Sequence, residues 1–395
     1  MILASCSGSI QQELQPGIYR ATMEVRDGKS LPFNFEIEED GSMQIFNGEE
    51  VISAEAISYP KDSIKITFPV YEGYIAGHFK NGTTSELKFI KESLDRVVPM
   101  SISYGEEDRF KNVAESSIDI SGEWEMLFTE EDSSTFIAKG IFKQDENIVT
   151  GTIRTTTGDH RFLEGVLSGN ELKLSVFDGA HAFLYTADVA QDKMENGAFY
   201  YGNHYKSTFI AKRNPNYELP HVDSLTFLNE GYDQFDFSFP DLDGNLISLK
   251  DEMFQDKVVV AQIMGSWCPN CIDESQYYTE YLSQNDDPSV QFVALAFEYA
   301  STEEKAIAGL KRLKSTLEIG YPILLAQYGS SDKGLAQQKL PMLNHVLSYP
   351  TTIFIDKKGQ VRKIHTGYNG PATGEKFVEF KKEFTGFLEM LSNES

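Results

Sequence analysis

Cysteine is scarce in this chain of 395 residues: there are three in all, too few for a fold stapled together by disulfides. Histidine is also sparse, with seven residues scattered along the chain. No second Cys-x-x-Cys and no clustered His pair accompanies the one cysteine pair, so a four-ligand zinc site is short of ligands and no metal is expected. Positive charge is in deficit, 35 Lys and Arg against 60 Asp and Glu, for a formal net charge of −25. That balance repels phosphate backbones and anionic lipid surfaces, which argues against nucleic acid as a partner. It reads as a solvated acidic surface, the other possibility being that it steers a basic protein partner. Long apolar runs are missing too. None approaches the roughly 20 residues that a membrane-spanning helix needs.

What is present is material for packed cores. Hydrophobic residues make up 41% and aromatics 12%, the latter dominated by 27 Phe and 19 Tyr. The length exceeds one core, since domains run to roughly 100–200 residues, and implies a multidomain chain of two or three. At the N-terminus, Ile2-Leu3-Ala4-Ser5-Cys6-Ser7-Gly8-Ser9 resembles the lipobox of bacterial lipoproteins, where small residues precede a cysteine that is diacylated and becomes the first residue after cleavage. The resemblance implies lipidation of Cys6 and a polar spacer from Ser7 to Gln15. It also implies a place in the bacterial cell envelope, periplasmic or on the outer-membrane surface, with membrane association only through the lipid anchor. The basic start and most of the apolar stretch of a signal peptide are missing. Residues 1–15 are therefore read as a truncated signal or lipobox plus tether, the alternative being a chance tetrapeptide in a floppy terminus.

Residues 16–213 show period-two alternation broken by turn signals. Phe33-Asn34-Phe35-Glu36-Ile37, then Asp40-Gly41, then Met43-Gln44-Ile45-Phe46 is a clear instance. Such alternation predicts antiparallel strands joined by hairpins, and the region reads as all-β. Two related meanders are suggested, at 16–100 and 119–213. The first opens on Pro16-Gly17-Ile18-Tyr19 and the second on Ser121-Gly122-Glu123-Trp124; they close on Ser85-Glu86-Leu87-Lys88-Phe89 and Lys206-Ser207-Thr208-Phe209-Ile210. They are expected to form two small sandwiches or one closed barrel. Between them, Lys91 to Ile118 is expected to be a loop or short helix. Residues 214–235, with Pro215 and Pro220 and no periodicity, read as a linker.

From residue 236 to 393 the pattern changes. Val258-Val259-Val260-Ala261-Gln262-Ile263-Met264 is a strand buried on both faces, and it runs straight into Gly265-Ser266-Trp267-Cys268. A helix is predicted from about Asn270 to Leu282, then a strand over Phe292 to Phe297. A second helix is predicted from Ser301 to Leu317, capped by Ser301 or Thr302 with Glu303 and Glu304 in its first turn. Strand, helix, strand, helix implies a parallel crossover unit. Thr351 to Ile355 pairs with Val361 to His365 across Lys357-Lys358-Gly359, and a helix over about Gly374 to Leu391 ends the α/β domain.

Cys268 and Cys271 stand two residues apart where a buried strand meets a helix. Unpaired amides and the positive end of the helix dipole stabilise a thiolate at the first thiol, which makes Cys268 the nucleophile and the deeper Cys271 the resolving thiol. The competing readings, a zinc half-site or an inert bridge, lack further ligands or a usual place for such a bridge.

Together with Phe239-Pro240-Asp241-Leu242-Asp243-Gly244 upstream, and Ser348-Tyr349-Pro350-Thr351-Thr352-Ile353-Phe354-Ile355-Asp356 and Thr366-Gly367-Tyr368 downstream, the run Trp267-Cys268-Pro269-Asn270-Cys271 resembles the TlpA family of membrane-tethered thioredoxin-like proteins. The resemblance spans 236–393 and leaves the β-rich half uncovered. It implies a thioredoxin-like fold and thiol-disulfide exchange with protein substrates. The redox-active cysteine pair is then the only cofactor, and a membrane-linked electron donor supplies the electrons. By the same resemblance Pro350 is a cis-proline facing the pair, Tyr349 presents its backbone to substrate and Trp267 shields one side. Pro269 lies at the substrate side and, with Asn270, tunes the potential. Many thioredoxins hold a buried acid where this chain has Gln262. Glu274 falls where TlpA-like proteins carry a glutamate, and it is expected to help deprotonate Cys271, the other reading being an exposed first-turn glutamate. The family's proline soon after that glutamate is replaced by Ser275-Gln276.

The function expected is a thiol-disulfide oxidoreductase, working as a reductase on exported proteins. The rival is a ligand- or partner-binding envelope lipoprotein whose β-rich half carries the main role. Peroxidase chemistry is disfavoured because no Thr-x-x-Cys surrounds Cys268.

Overall fold

A computed structural model describes residues 13–81 and 84–394 of the protein, so Cys6 and its lipobox lie outside the described residues. The β-rich half contains two antiparallel sheets of nine strands each, and they differ in closure. In the first, Gly17–Glu24 pairs with Ser30–Ile37 on one side and Arg96–Tyr104 on the other. The sheet stays open between its edge strands Glu50–Ser53 and Ala56–Ser58. In the second, Thr135–Asp145 pairs both with Gly122–Thr129 and with Ile148–Thr155, which closes a barrel. The architecture is thus one half-barrel and one barrel. Along Gly122–Thr129 the residues Trp124, Met126 and Phe128 are buried and alternate with less buried neighbours, as a strand with one face on a core requires. The Trp124 indole donates to the Ile120 carbonyl at 2.8 Å.

The open sheet has an apolar face that needs a cover, and the outside of the barrel supplies it. Phe177, Ala182, Leu184 and Tyr200 of the barrel belong to the first sheet's core. The Phe177 ring sits 4.5 Å from Phe33, 5.1 Å from Phe89 and 5.7 Å from Phe68. Asn47 donates to the Phe177 carbonyl at 2.9 Å, so the two sheets form one body.

Three expectations about this half need correction. Residues 91–118 are not only loop: Arg96–Tyr104 is a strand, and it pairs with the first strand of its sheet. Pro99 hides it, because proline lowers the strand reading of any run it interrupts. Ser85 to Phe89 consequently lies in the penultimate strand of the first sheet, whereas Lys206 to Ile210 does lie in the strand that closes the second. Residues 214–235, read as a linker, are docked. Asn229 donates to the Met342 carbonyl at 2.8 Å, Thr226 meets Thr366 at 2.9 Å, and Glu218 pairs with the buried Lys139 at 2.8 Å.

The C-terminal domain is a five-stranded mixed sheet with flanking helices. We label β1 Val258–Met264, α1 Pro269–Gln284, β2 Val290–Phe297, α2 Glu303–Thr316, β3 Ile323–Gln327, α3 Lys333–Lys339, β4 Thr351–Ile355, β5 Val361–Thr366 and α4 Glu375–Asn393. The order is β3-β2-β1-β4-β5, parallel from β3 to β1 and antiparallel at β4 and β5. All seven residues of β1 are buried. Thr302 caps α2 with Glu303 and Glu304 in its first turn. Tyr277 and Tyr278 of α1 pack on Phe384 of α4, with ring centroids 5.3 and 5.1 Å away. Among the described residues no helix is long and apolar enough to cross a membrane.

One ion cluster joins all three parts. Arg161, in the turn before Leu163–Ser168 of the barrel, meets Glu50 of the first sheet at 2.5 Å and Asp178 of the barrel at 3.7 Å. It also pairs with Asp273 of α1. Removing one partner from such a cluster leaves uncompensated buried charge. Arg161→Met is expected to lower stability by about 3–5 kcal/mol, seen as a lower urea midpoint of the full chain. A loss under about 1 kcal/mol would show that apolar packing holds the junction without the ions.

Candidate active site

Strand β1 ends at Met264, and four residues later Cys268 begins α1 as its N-cap, with Pro269 in the first helical turn where its missing N–H costs nothing. Both cysteines are thiols. The Cys268 sulfur accepts from the Cys271 amide at 3.3 Å and donates to the Tyr349 carbonyl at 3.3 Å. Cys268 is 7% exposed and Cys271 fully buried. Burial, with the Cys268 sulfur beside it, pushes the Cys271 thiol well above the ordinary cysteine range. The two thiols therefore stand in unlike settings: one edges a surface and the other is sealed beneath it.

The residues expected around the pair are all placed near it. Tyr349 and Pro350 precede β4 and are joined by a cis peptide bond. The Trp267 indole donates to the Phe297 carbonyl at 2.9 Å, and its ring meets the Tyr349 ring edge-on at 5.4 Å. Glu274 is fully buried, which corrects the alternative of an exposed first-turn glutamate. Its Oε2 accepts from Gln262 at 2.9 Å and from Thr352 at 3.1 Å, and Tyr278 stands beside the carboxyl. Burial outweighs these bonds and pushes the carboxyl up to about 7. Gln262 also donates to the Cys271 carbonyl at 3.3 Å and accepts from Ser275 at 3.0 Å. The neutral amide thus ties the glutamate to the helical turn that carries the resolving thiol.

Other polar groups here escaped the sequence reading. Glu298, just past β2, accepts from the Ser266 amide at 2.7 Å and its hydroxyl at 2.8 Å, and burial raises it to about 7. Its one signal was a charge at the end of an apolar run. More consequential is the barrel segment from Thr155 to Arg161. Thr157 accepts from Ser348 at 2.8 Å, and the Asp159 carbonyl accepts from the Asn270 amide at 3.1 Å. The Asp159 carboxylate accepts from the Gly370 amide at 2.6 Å, and Arg154 reaches Asn369 at 2.9 Å. No local signal marks these contacts, which join residues more than a hundred positions apart. Among the described residues no group of three or more His, Cys, Asp and Glu side chains is placed to hold a metal.

A two-thiol centre at the head of a helix on a buried strand, beside a strand-entry carbonyl, defines the class of thioredoxin-like thiol-disulfide oxidoreductases. Comparison with known proteins narrows this. Residues 232–378 match the Redoxin family model, which places a Redoxin domain over the C-terminal region. The thioredoxin-like protein YneN of Bacillus subtilis is 29% identical over 140 residues, 35% of this chain and 73% of that protein. The thiol-disulfide oxidoreductase ResA of Halalkalibacterium halodurans is 26% identical over 157 residues, 38% of this chain and 77% of that protein. The thiol:disulfide interchange protein DsbE of Escherichia coli is 28% identical over 129 residues, 33% of this chain and 60% of that protein. All three alignments leave most of this chain uncovered.

The raised Glu274 carboxyl has a consequence for stability. Unfolded, the group ionises near its ordinary 4.5; folded, it keeps its proton to about 7. Its stabilising contribution is therefore complete below pH 4.5 and is lost as pH rises through 7. Glu274→Gln removes that titration, so the variant is expected to lose about 2–3 kcal/mol less than the parent between about pH 5 and pH 8. Urea denaturation at the two pH values measures it, and parallel losses would mean that Glu274 ionises normally.

Proposed function

We propose that the Cys268–Cys271 pair is the redox centre of this oxidoreductase and that it reduces disulfides of exported proteins. The observation that carries this is the contrast between the two sulfurs, one at the helix N-cap against the Tyr349 carbonyl and the other buried one turn below. In the forward direction the Cys268 thiolate attacks a substrate sulfur. A Cys268–substrate disulfide forms, and the other substrate sulfur leaves as a thiolate and takes a proton. Cys271 then gives up its proton to the ionised form of Glu274, present at and above about pH 7, and attacks the Cys268 sulfur. The second substrate thiol is released and the pair is left as a disulfide. Two electrons and two protons have passed to substrate, and a thiol donor must return them.

Trp267, Pro269, Tyr349 and Pro350 surround the reacting sulfur and would hold the incoming chain. The centre needs no cofactor beyond its own disulfide. The lipobox-like stretch ending in Cys6 supports a lipid-anchored protein of the bacterial cell envelope, fed by a membrane-linked reductant.

Cys268→Ser is expected to lower reduction of a disulfide-linked linear peptide by about a hundredfold or more. Cys271→Ser should hold a mixed disulfide on Cys268, visible by mass spectrometry. Unchanged reduction by Cys268→Ser would move the chemistry elsewhere. A redox titration tests direction: a potential near the roughly −120 mV of strong dithiol oxidants would overturn the reductase assignment.

A further inference from the structure

Three loops of the C-terminal domain meet the barrel: the start of α1 at Asn270, the turn before β4 at Ser348, and the stretch after β5 at Asn369 and Gly370. Barrel residues Arg154, Thr157 and Asp159 bond to every one of them. The fit is close. A β-carbon on Gly158 would run into the Asn270 amide, and one on Gly367 would lie 2.8 Å from the Thr157 backbone. The barrel is thus packed directly against the loops that flank the pair. What stays open is a cleft of about 250 Å³ reaching Cys268, walled by His160, His181 and Phe183 of the barrel and by Trp267, Lys333 and Tyr349 of the redox domain. That is smaller than the roughly 300–1,000 Å³ of a typical ligand pocket.

We infer that the barrel is the substrate-selecting wall of the redox centre, and that the cleft admits the cysteine of an extended, unfolded or terminal polypeptide segment while excluding a disulfide on the surface of a folded protein. The inference rests on Cys268 being the attacking thiol. Size bears on the first half: Cys268 is 7% exposed and is reached through a cleft of about 250 Å³ beside the barrel rim, a geometry that favours a slender segment over a folded surface. Chemistry sets the second. Aromatic rings from both domains suit apolar side chains flanking a cysteine. A small polycarboxylate disulfide meets the Asp159 carboxylate as well as Lys333 in the cleft wall, on a chain of net charge −25.

The test uses the reduced full chain and follows release of nitrothiobenzoate from three mixed disulfides. The group is carried on the cysteine of a short unstructured peptide, on a surface cysteine of a folded protein, and on free cysteine. The peptide is expected to react at least about tenfold faster than the folded protein. Equal rates would overturn the inference, as would a peptide as slow as the folded protein while free cysteine reacts. Release from none of the three, with Cys268 still alkylated by iodoacetamide and Cys271 found as a free thiol after unfolding, would instead sink the redox reading itself. Phe183→Ala widens the cleft from the barrel side and is expected to bring the peptide-to-protein ratio toward one. Its thermal midpoint confirms folding, and an unchanged ratio in the folded variant would remove the barrel as the selecting wall.

Discussion

A single guanidinium, Arg161, faces carboxylates from all three parts of the molecule: Glu50 on the half-barrel, Asp178 on the barrel and Asp273 on α1. One cation cannot neutralise three anions in a half-dry junction. Accordingly, burial holds Glu50 up at about 7 and Asp273 at about 6 even beside the guanidinium. Such an arrangement contributes less to net stability than its contacts suggest, because desolvation offsets much of the attraction. What it does supply is register. Asp273 lies two residues beyond Cys271, so the ion pair that orients the barrel also fixes the barrel against the helix that carries the thiols.

The rest of the N-terminal half follows from incomplete closure. A nine-stranded meander that stops short of a barrel leaves an apolar face, and the outer wall of its neighbour fills it, Phe177 entering among Phe33, Phe68 and Phe89. Hydrophobic burial of this kind is non-directional. The hydrogen bonds of Asn47 to Phe177 and of Ser175 to Pro32, at 2.6 Å, supply the direction.

The redox domain was largely legible in the sequence, because its signals are local. An unbroken apolar strand, a helix start at the second cysteine's turn and a Tyr-Pro before another strand each occupy a few consecutive residues. The burial of Glu274 was half legible. Its position was marked by resemblance, but its environment depends on Gln262 and Thr352, twelve and seventy-eight residues away. Strand alternation revealed the all-β half but not its closure, since whether an edge finds a partner depends on twist and loop length rather than on any one strand's pattern. Arg96–Tyr104 was lost to its proline. The Thr155 to Arg161 segment could not have been assigned at all, because a Thr-Thr-Thr-Gly-Asp-His-Arg turn reads the same whether it faces water or the head of α1.

The cleft over Cys268 also bears on traffic. With the barrel packed against Ser348, Asn369 and Gly370, a donor and an acceptor in the proposed exchange would share one doorway to Cys268. The two would then take turns rather than dock side by side. Each would have to present its sulfur on a similarly slender limb, so the shape of one would constrain the shape of the other.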